Sequence, residues 1–150
     1  MALSDLGLIG NCQISALVRR DGAIVWSCMP RFDSPPIFGA LLDEQDGGRF
    51  VIAPAGGEPG VQRYLPNTNV LETRFETRDG AFRVLDFAPR FLQHERSFRP
   101  AKLLRIVEPL AGTPRLRVRS DIEYLANWSL LGDIFILLRT VQVLIHDKAY

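Results

Sequence analysis

Apolar and polar positions alternate over short stretches, and Gly, Pro, Asn and Asp separate the stretches. Ile14 to Val18 and Ala23 to Cys28 flank Arg20-Asp21-Gly22. Asp-Gly supplies the positive φ angles of a two-residue hairpin turn. That register sets Val18 against Val25, Leu17 against Trp26 and Cys28 against Ser15. Both faces of the ribbon are largely apolar, which places it inside a sandwich. A clearer hairpin joins Val70 to Thr77 with Ala81 to Phe87 around Asp79-Gly80. Its register pairs Phe75 with Val84, Thr77 with Phe82 and Glu76 with Arg83, with Thr73 facing Asp86 near the open end. Glu72 and Asp86 then point to opposite faces.

Further strands are predicted at Arg49 to Pro54, Val61 to Tyr64, Lys102 to Val107 and Arg115 to Ser120, with Ile134 to Ile145 read as one or two more, or else as a helix. Ala55 to Gly60 and Glu108 to Pro114 read as loops, and Pro89 to Pro100 as a polar, aromatic-dotted connection. One helix is expected. Ser34 can cap free amides, Pro35 is tolerated at a first helical position, and Ile37, Phe38, Leu41 and Leu42 follow at helical spacing until about Asp43. The pattern predicts an all-β, antiparallel β-sandwich with one short helix, forming a single domain over residues 1–150.

Between the strand ending at Cys28 and that expected helix lies Pro30-Arg31-Phe32-Asp33, stiffened by prolines 30 and 35. A cation, an aromatic ring and a carboxylate on a stiff connector suit a polar ligand or another domain. Arg31 and Asp33 can hydrogen-bond hydroxyls, and Phe32 can stack on the apolar side of a pyranose. Asp33 also has a plainer reading, as a turn carboxylate or the partner of Arg31. Trp26, among apolar strand neighbours, is expected in the core; Trp128 has no readable surroundings.

These residues also carry a resemblance. Asp5 to Asn11, Arg20-Asp21-Gly22, Trp26 to Asp43, Gly47-Gly48-Arg49-Phe50, Ala53-Pro54, Tyr64 to Thr73, Asp79-Gly80, Asp86-Phe87 and Arg105 to Gly112 keep an order and spacing. Over about Asp5 to Glu123 that arrangement resembles the N-terminal domain of bacterial family 15 glycoside hydrolases, the glucoamylase-like and trehalase-like proteins. Residues 125–150 depart from the family's pattern. The resemblance implies a large β-sandwich, for which this chain is short, so either truncation or unusual last strands are expected. It also implies inverting hydrolysis of α-glucosidic bonds by two glutamates in an (α/α)6 barrel following the sandwich. The motifs bearing those glutamates do not occur in these 150 residues, so no catalytic residue is assigned.

Composition narrows the classes. An apolar fraction of 47% with 23% charged residues is that of a folded domain able to bury a core. A formal charge of +1 gives no broad field for nucleic acid or acidic membranes. Arg115, Arg117 and Arg119 share one strand face and read as solvated. No apolar run is long enough to span a bilayer and no signal-like N-terminus is seen, so a cytoplasmic location is expected. Cys12 and Cys28 are expected to be free, buried thiols, three residues out of register with each other. With His94 and His146 they make no metal set, and no cofactor is expected.

Among the carboxylates, Glu72, Asp86, Glu108 and Asp121 are read as turn or salt-bridge groups. Arg31, Phe32 and Asp33 remain as candidate substrate contacts. The leading expectation is a non-catalytic accessory domain packing on the helical catalytic domain of the same protein, with an α-glucoside at its edge. The alternatives are a freestanding carbohydrate-binding module, which needs a row of exposed aromatics from among Phe32, Tyr64, Phe91 and Trp128, and an oligomerisation domain that self-associates through an uncovered apolar face. Starch-type, dextran-type and trehalose substrates are not distinguished by these residues.

Overall fold

The computed structural model describes residues 5–121. Twelve strands follow there: β1 (Leu6–Gly10), β2 (Ser15–Arg19), β3 (Ala23–Cys28), β4 (Pro36–Phe38), β5 (Phe50–Pro54), β6 (Val61–Tyr64), β7 (Leu71–Thr77), β8 (Gly80–Phe87), β9 (Phe91–Gln93), β10 (Arg96–Phe98), β11 (Leu104–Gly112) and β12 (Leu116–Ser120). One sheet runs β1-β2-β3-β5-β12, with β4 added against β3. The other runs β11-β8-β7-β6, and β9 pairs with β10. All pairings are antiparallel. The antiparallel β-sandwich is as expected. The readings at Trp128, Ile134 to Ile145 and His146 lie outside the described residues.

Alternation builds the core. Ile9, Ala16, Val18, Ile24, Phe50 and Ile52 from the first sheet meet Leu71, Phe75, Phe82, Val84 and Val107 from the second. The first sheet is apolar on its other face too, where Ala23, Val25, Val51 and Ala53 lie under Ala40 and Leu41. That face is covered by the 39–48 segment, whose Leu41 amide donates to Val25 O at 2.9 Å. A loop thus completes the layer that the two-faced apolar pattern of the ribbon called for.

The first hairpin keeps its expected pairs Ser15–Cys28 and Leu17–Trp26, but Val18 faces Ile24 instead of Val25. A bulge between Leu17 and Val18 takes up the extra residue. Its cause lies in the turn. Gly22 has φ 81°, and a Cβ there would lie 1.9 Å from Ile52 O. The backbone passes this close because Ile52 N donates to Gly22 O at 3.1 Å. The turn is docked on β5, and the ribbon adjusts to it.

The second hairpin is shifted by two residues from expectation. Phe75 pairs with Phe82, Thr77 with Gly80 and Thr73 with Val84, so the connecting loop is Arg78-Asp79. Gly80 (φ 149°) is a strand residue opposite Gly112, with Ala111 O 2.2 Å from where a Cβ would stand. Phe75 and Phe82 stack at 4.9 Å, a cross-strand aromatic pair that the expected register did not allow. Glu76 therefore faces Ala81, not Arg83. A two-residue shift leaves every side chain on its original face, so Glu72 and Asp86 still point opposite ways.

The expected helix after Ser34 is absent; the described residues contain no α-helix. Residues 31–34 form a turn, β4 pairs with β3, and turns fill 39–48. Pro36 pushes Pro35 away from helical geometry, and a proline is tolerated as the first residue of a strand. Gly39 and Gly47 then approach through a short amide–carbonyl contact that a helix would forbid. Elsewhere, β11 continues to Gly112, past the expected end at Val107, with a bulge between Pro109 and Ala111. Pro109 is tolerated because β11 is an edge strand. The 89–100 connection contains the β9–β10 hairpin, and Arg115, Arg117 and Arg119 are exposed, as expected.

One charged group holds the two sheets together. Arg105 on β11 is buried, and its Nε and Nη2 donate to Asp86 Oδ1 and Oδ2 at 2.7 and 3.2 Å. Its Nη1 donates to Phe50 O at 3.0 Å and Nη2 to Gly22 O at 2.7 Å. The guanidinium also lies over the Phe50 ring, 4.8 Å from its centre. One side chain of the second sheet thereby satisfies the docked turn and a β5 carbonyl of the first.

Candidate functional site

The connector after β3 is built as a tight turn. Arg31 N donates to Ser34 Oγ at 3.2 Å, and Ser34 N to Arg31 O at 3.1 Å. Ser34 closes a turn where a helix cap was expected. Inside it, Arg31 Nε and Nη2 donate to Asp33 Oδ1 and Oδ2 at 2.9 and 3.2 Å. Phe32, between them in sequence, has 64% of its surface exposed. The loop is fixed to the β1–β2 corner by Phe32 N donating to Gln13 O at 2.9 Å.

That corner is organised by Asn11, which is buried. Its Oδ1 accepts from Gln13 N at 3.0 Å and Ile14 N at 3.2 Å. Its Nδ2 donates to Pro89 O at 3.0 Å and Pro100 O at 2.8 Å. The amide thus makes two bonds as acceptor and two as donor, filling the capacity of an Asn side chain. The result aligns three loops along one open groove. Gln13, Arg31, Phe32 and Arg99 border a depression of about 340 Å³. An adjoining one of about 500 Å³ runs past Leu8, Gly10, Ser15 and Asn69. Phe32 and Cys12 line both. Each volume is within the range of small-molecule sites.

The electrostatics favour recognition over proton transfer. The Arg31 guanidinium holds the Asp33 carboxyl below the usual carboxylate range. Asp33 is therefore ionised at neutral pH, a hydrogen-bond acceptor without a proton to donate. The pair presents guanidinium donors and carboxylate oxygens next to an exposed aromatic residue, which suits vicinal hydroxyls and an apolar sugar face.

The other candidate carboxylates, Glu72, Asp86, Glu108 and Asp121, are ion-paired. Buried Glu72 meets Arg63 and, at 3.1 Å, Arg83, and Arg83 reaches Glu108 at 2.6 Å. Asp121 pairs with Arg119 at 2.8 Å, and Asp86 with Arg105. Among the described residues no cluster of His, Cys, Asp and Glu is arranged to hold a metal ion. Cys28 is buried, but Cys12 is exposed, contrary to expectation, because it stands at φ 71° in the corner that Asn11 ties down. Arg90 Nη1 lies 3.8 Å from its sulfur. Both thiols are free, as expected. Trp26 is half-buried opposite Leu17.

Sequence reasoning found Arg31, Phe32 and Asp33 but missed Asn11, Gln13, Asn69 and Arg99. Asn11-Cys12-Gln13 between two strands is a turn signal, so a local role for Asn11 was readable. Its partners 78 and 89 residues away were not.

The family model described as "Trehalase-like, N-terminal" matches residues 1–119. The chain belongs to the trehalase-like N-terminal domain family. Curated relatives agree with this assignment. The domain is 39% identical over 85 residues to a trehalase of Mycolicibacterium smegmatis, covering 56% of this chain and 13% of that protein. It is 42% identical over 89 residues to trehalase 1 of Sulfolobus acidocaldarius, covering 59% and 16%. A trehalase of Thermoplasma acidophilum is 34% identical over 106 residues, covering 68% and 18%. The trehalase-like domain thus corresponds to under a fifth of the length of these relatives. No solved structure matches it at a significant level.

Proposed function

We propose that this chain is the accessory β-sandwich of a family 15, trehalase-like hydrolase of α-glucosidic bonds. It packs on the catalytic domain of the same polypeptide and offers Arg31, Phe32 and Asp33 to the edge of the sugar site. The observation that carries this reading is the small share of the full-length trehalases that the matched region represents. Two features support it. The interior and strand-end carboxylates are engaged by arginines, and inverting hydrolysis requires an acid and a base free to act on opposite faces of the sugar. Phe32, an exposed aromatic flanked by an ion pair, stands on a braced loop beside an open groove.

A freestanding sugar-binding module is less well supported. Tyr64 has its hydroxyl bonded to the Leu8 backbone, and Phe91 stacks on Phe98, so neither extends a platform from Phe32. The test uses the chain alone. Purified chain incubated with trehalose, maltose or isomaltose is expected to release no glucose, and measurable turnover overturns the accessory role. Backbone NMR with added trehalose is expected to shift amides at 12–13, 31–34 and 99. Shifts confined to other regions would reject the sugar-edge role.

A further inference from the structure

The β9–β10 hairpin is the pair of strands that, among the described residues, hydrogen-bonds into neither sheet. All six of its strand residues are exposed. Leu92 is 79% exposed, Phe91 47% and Phe98 42%. The two rings stack on each other at 5.7 Å and 12°, so they brace the hairpin without entering the core. A lone two-stranded hairpin is marginal in water, and exposed apolar clusters mark contact surfaces.

The base of the hairpin, by contrast, is held firmly. Pro89 O and Pro100 O, just outside its two ends, both accept from the buried Asn11 amide. The same asparagine braces the corner that carries Phe32 through Gln13. Arg99, at the hairpin's exit, borders the groove beside Phe32. Residues 89–100 hold three arginines against one glutamate, a net charge of +2. The arm is therefore aimed, cationic and apolar on its uncovered surface.

We propose that the 91–98 hairpin is a docking arm for the catalytic part of the same polypeptide, seating Phe91, Leu92 and Phe98 in an apolar depression bordered by carboxylates. This rests on the accessory-domain reading above. The occupant follows from two observations. The matched region is under a fifth of the curated relatives, so most of such a polypeptide lies outside the domain and is tethered to it. The +2 charge selects an acidic rim and disfavours a second copy, whose arm would carry the same sign.

The experiment titrates the 150-residue chain against trehalase 1 of Sulfolobus acidocaldarius from which the matched stretch has been deleted. Wild-type chain is expected to bind. The triple variant Phe91→Ser, Leu92→Ser, Phe98→Ser is expected to bind at least about tenfold more weakly, as loss of a clustered hot spot does. Glu58→Ala, at an exposed loop elsewhere, should leave binding unchanged. Failure of the wild-type chain to bind overturns the accessory reading, and the arm with it. Equal binding by the triple variant overturns the arm alone. A second readout needs no partner: the isolated triple variant should melt with the wild type, and a loss of several degrees would show that these side chains serve the domain's own fold. If light scattering finds a wild-type dimer that the variant abolishes, the occupant is a second copy and the proposal falls.

Discussion

Two arginine–carboxylate pairs in this domain have almost the same geometry and opposite surroundings. Arg105–Asp86 is two-pronged at 2.7 and 3.2 Å, with side chains 1% and 0% exposed. Arg31–Asp33 is two-pronged at 2.9 and 3.2 Å, with side chains 65% and 54% exposed. In the interior, further guanidinium protons are taken by Phe50 O and Gly22 O. At the surface, the protons of Arg31 that do not face Asp33 are open to solvent and to anything that replaces it. The lesson is that the contact distance does not assign a role. Desolvation and the remaining donors do.

The largest effect expected from this contrast is at Arg105. Replacing it with Ala leaves Asp86 as an unpaired buried charge and frees two carbonyls, so a loss of about 3–5 kcal/mol is expected. Urea unfolding of the variant measures it. A loss under about 1 kcal/mol would put the interior pair on the same footing as a surface pair. A double replacement, Arg105→Met with Asp86→Leu, should recover much of the loss, because the cost lies in the stranded charge.

Asn11 comes next. Asn11→Ala removes four hydrogen bonds from a buried corner, and about 1–3 kcal/mol is expected from the polar groups left without partners. The sharper readout is hydrogen exchange. Amides of 12–14 and 91–98 should lose protection together, since one side chain holds both segments. Loss at 12–14 alone would mean that the hairpin is held by something else.

The same contrast explains what could be read in the chain. Strand positions followed from alternation, and the sandwich followed from the strands. Registers followed only where local turn chemistry decided them. At Gly80 the deciding contact is Ala111 O, and at Gly22 it is Ile52 O; both are remote, so the β7–β8 register slipped by two residues and the β2–β3 ribbon acquired a bulge. The helix after Ser34 failed because apolar spacing alone cannot tell a helix face from a short strand followed by turns, and Pro36 was the overlooked breaker. The 30–33 loop was legible because its chemistry is contiguous. The groove around it was not, because Gln13, Asn69 and Arg99 arrive from three separate loops.

Glu72 tests an intermediate case, a buried carboxylate covered by partly exposed arginines. The hydrogen bond from Arg63, with Arg83 in support, outweighs burial and lowers its pKa below the ordinary glutamate value. A carboxylate whose folded pKa is depressed stabilises the fold above its unfolded pKa, about 4.3, and loses that contribution as pH falls through the folded value. Wild-type stability should therefore decline below about pH 4, and Glu72→Gln should flatten that decline while lowering stability at pH 7. Parallel curves for the two proteins would show that Glu72 titrates as it does in the unfolded chain.

The smallest effect is expected where function is proposed. Arg31→Ala breaks a pair that is already solvated at both ends, so the urea midpoint should barely move, and less still in high salt. A double-mutant cycle with Asp33→Ala measures the coupling directly. If it matches the coupling of Arg105–Asp86 and resists salt, the pair belongs with that one as an internal strut, and the case for Arg31 and Asp33 as ligand contacts falls. If the coupling is small, the turn is kept by Ser34 and by Gln13 O, and the charged pair is free to exchange its water shell for hydroxyls. The predicted signature of a binding role is then the combination itself: a substitution almost silent in unfolding that nonetheless abolishes the trehalose-induced shifts at 31–34.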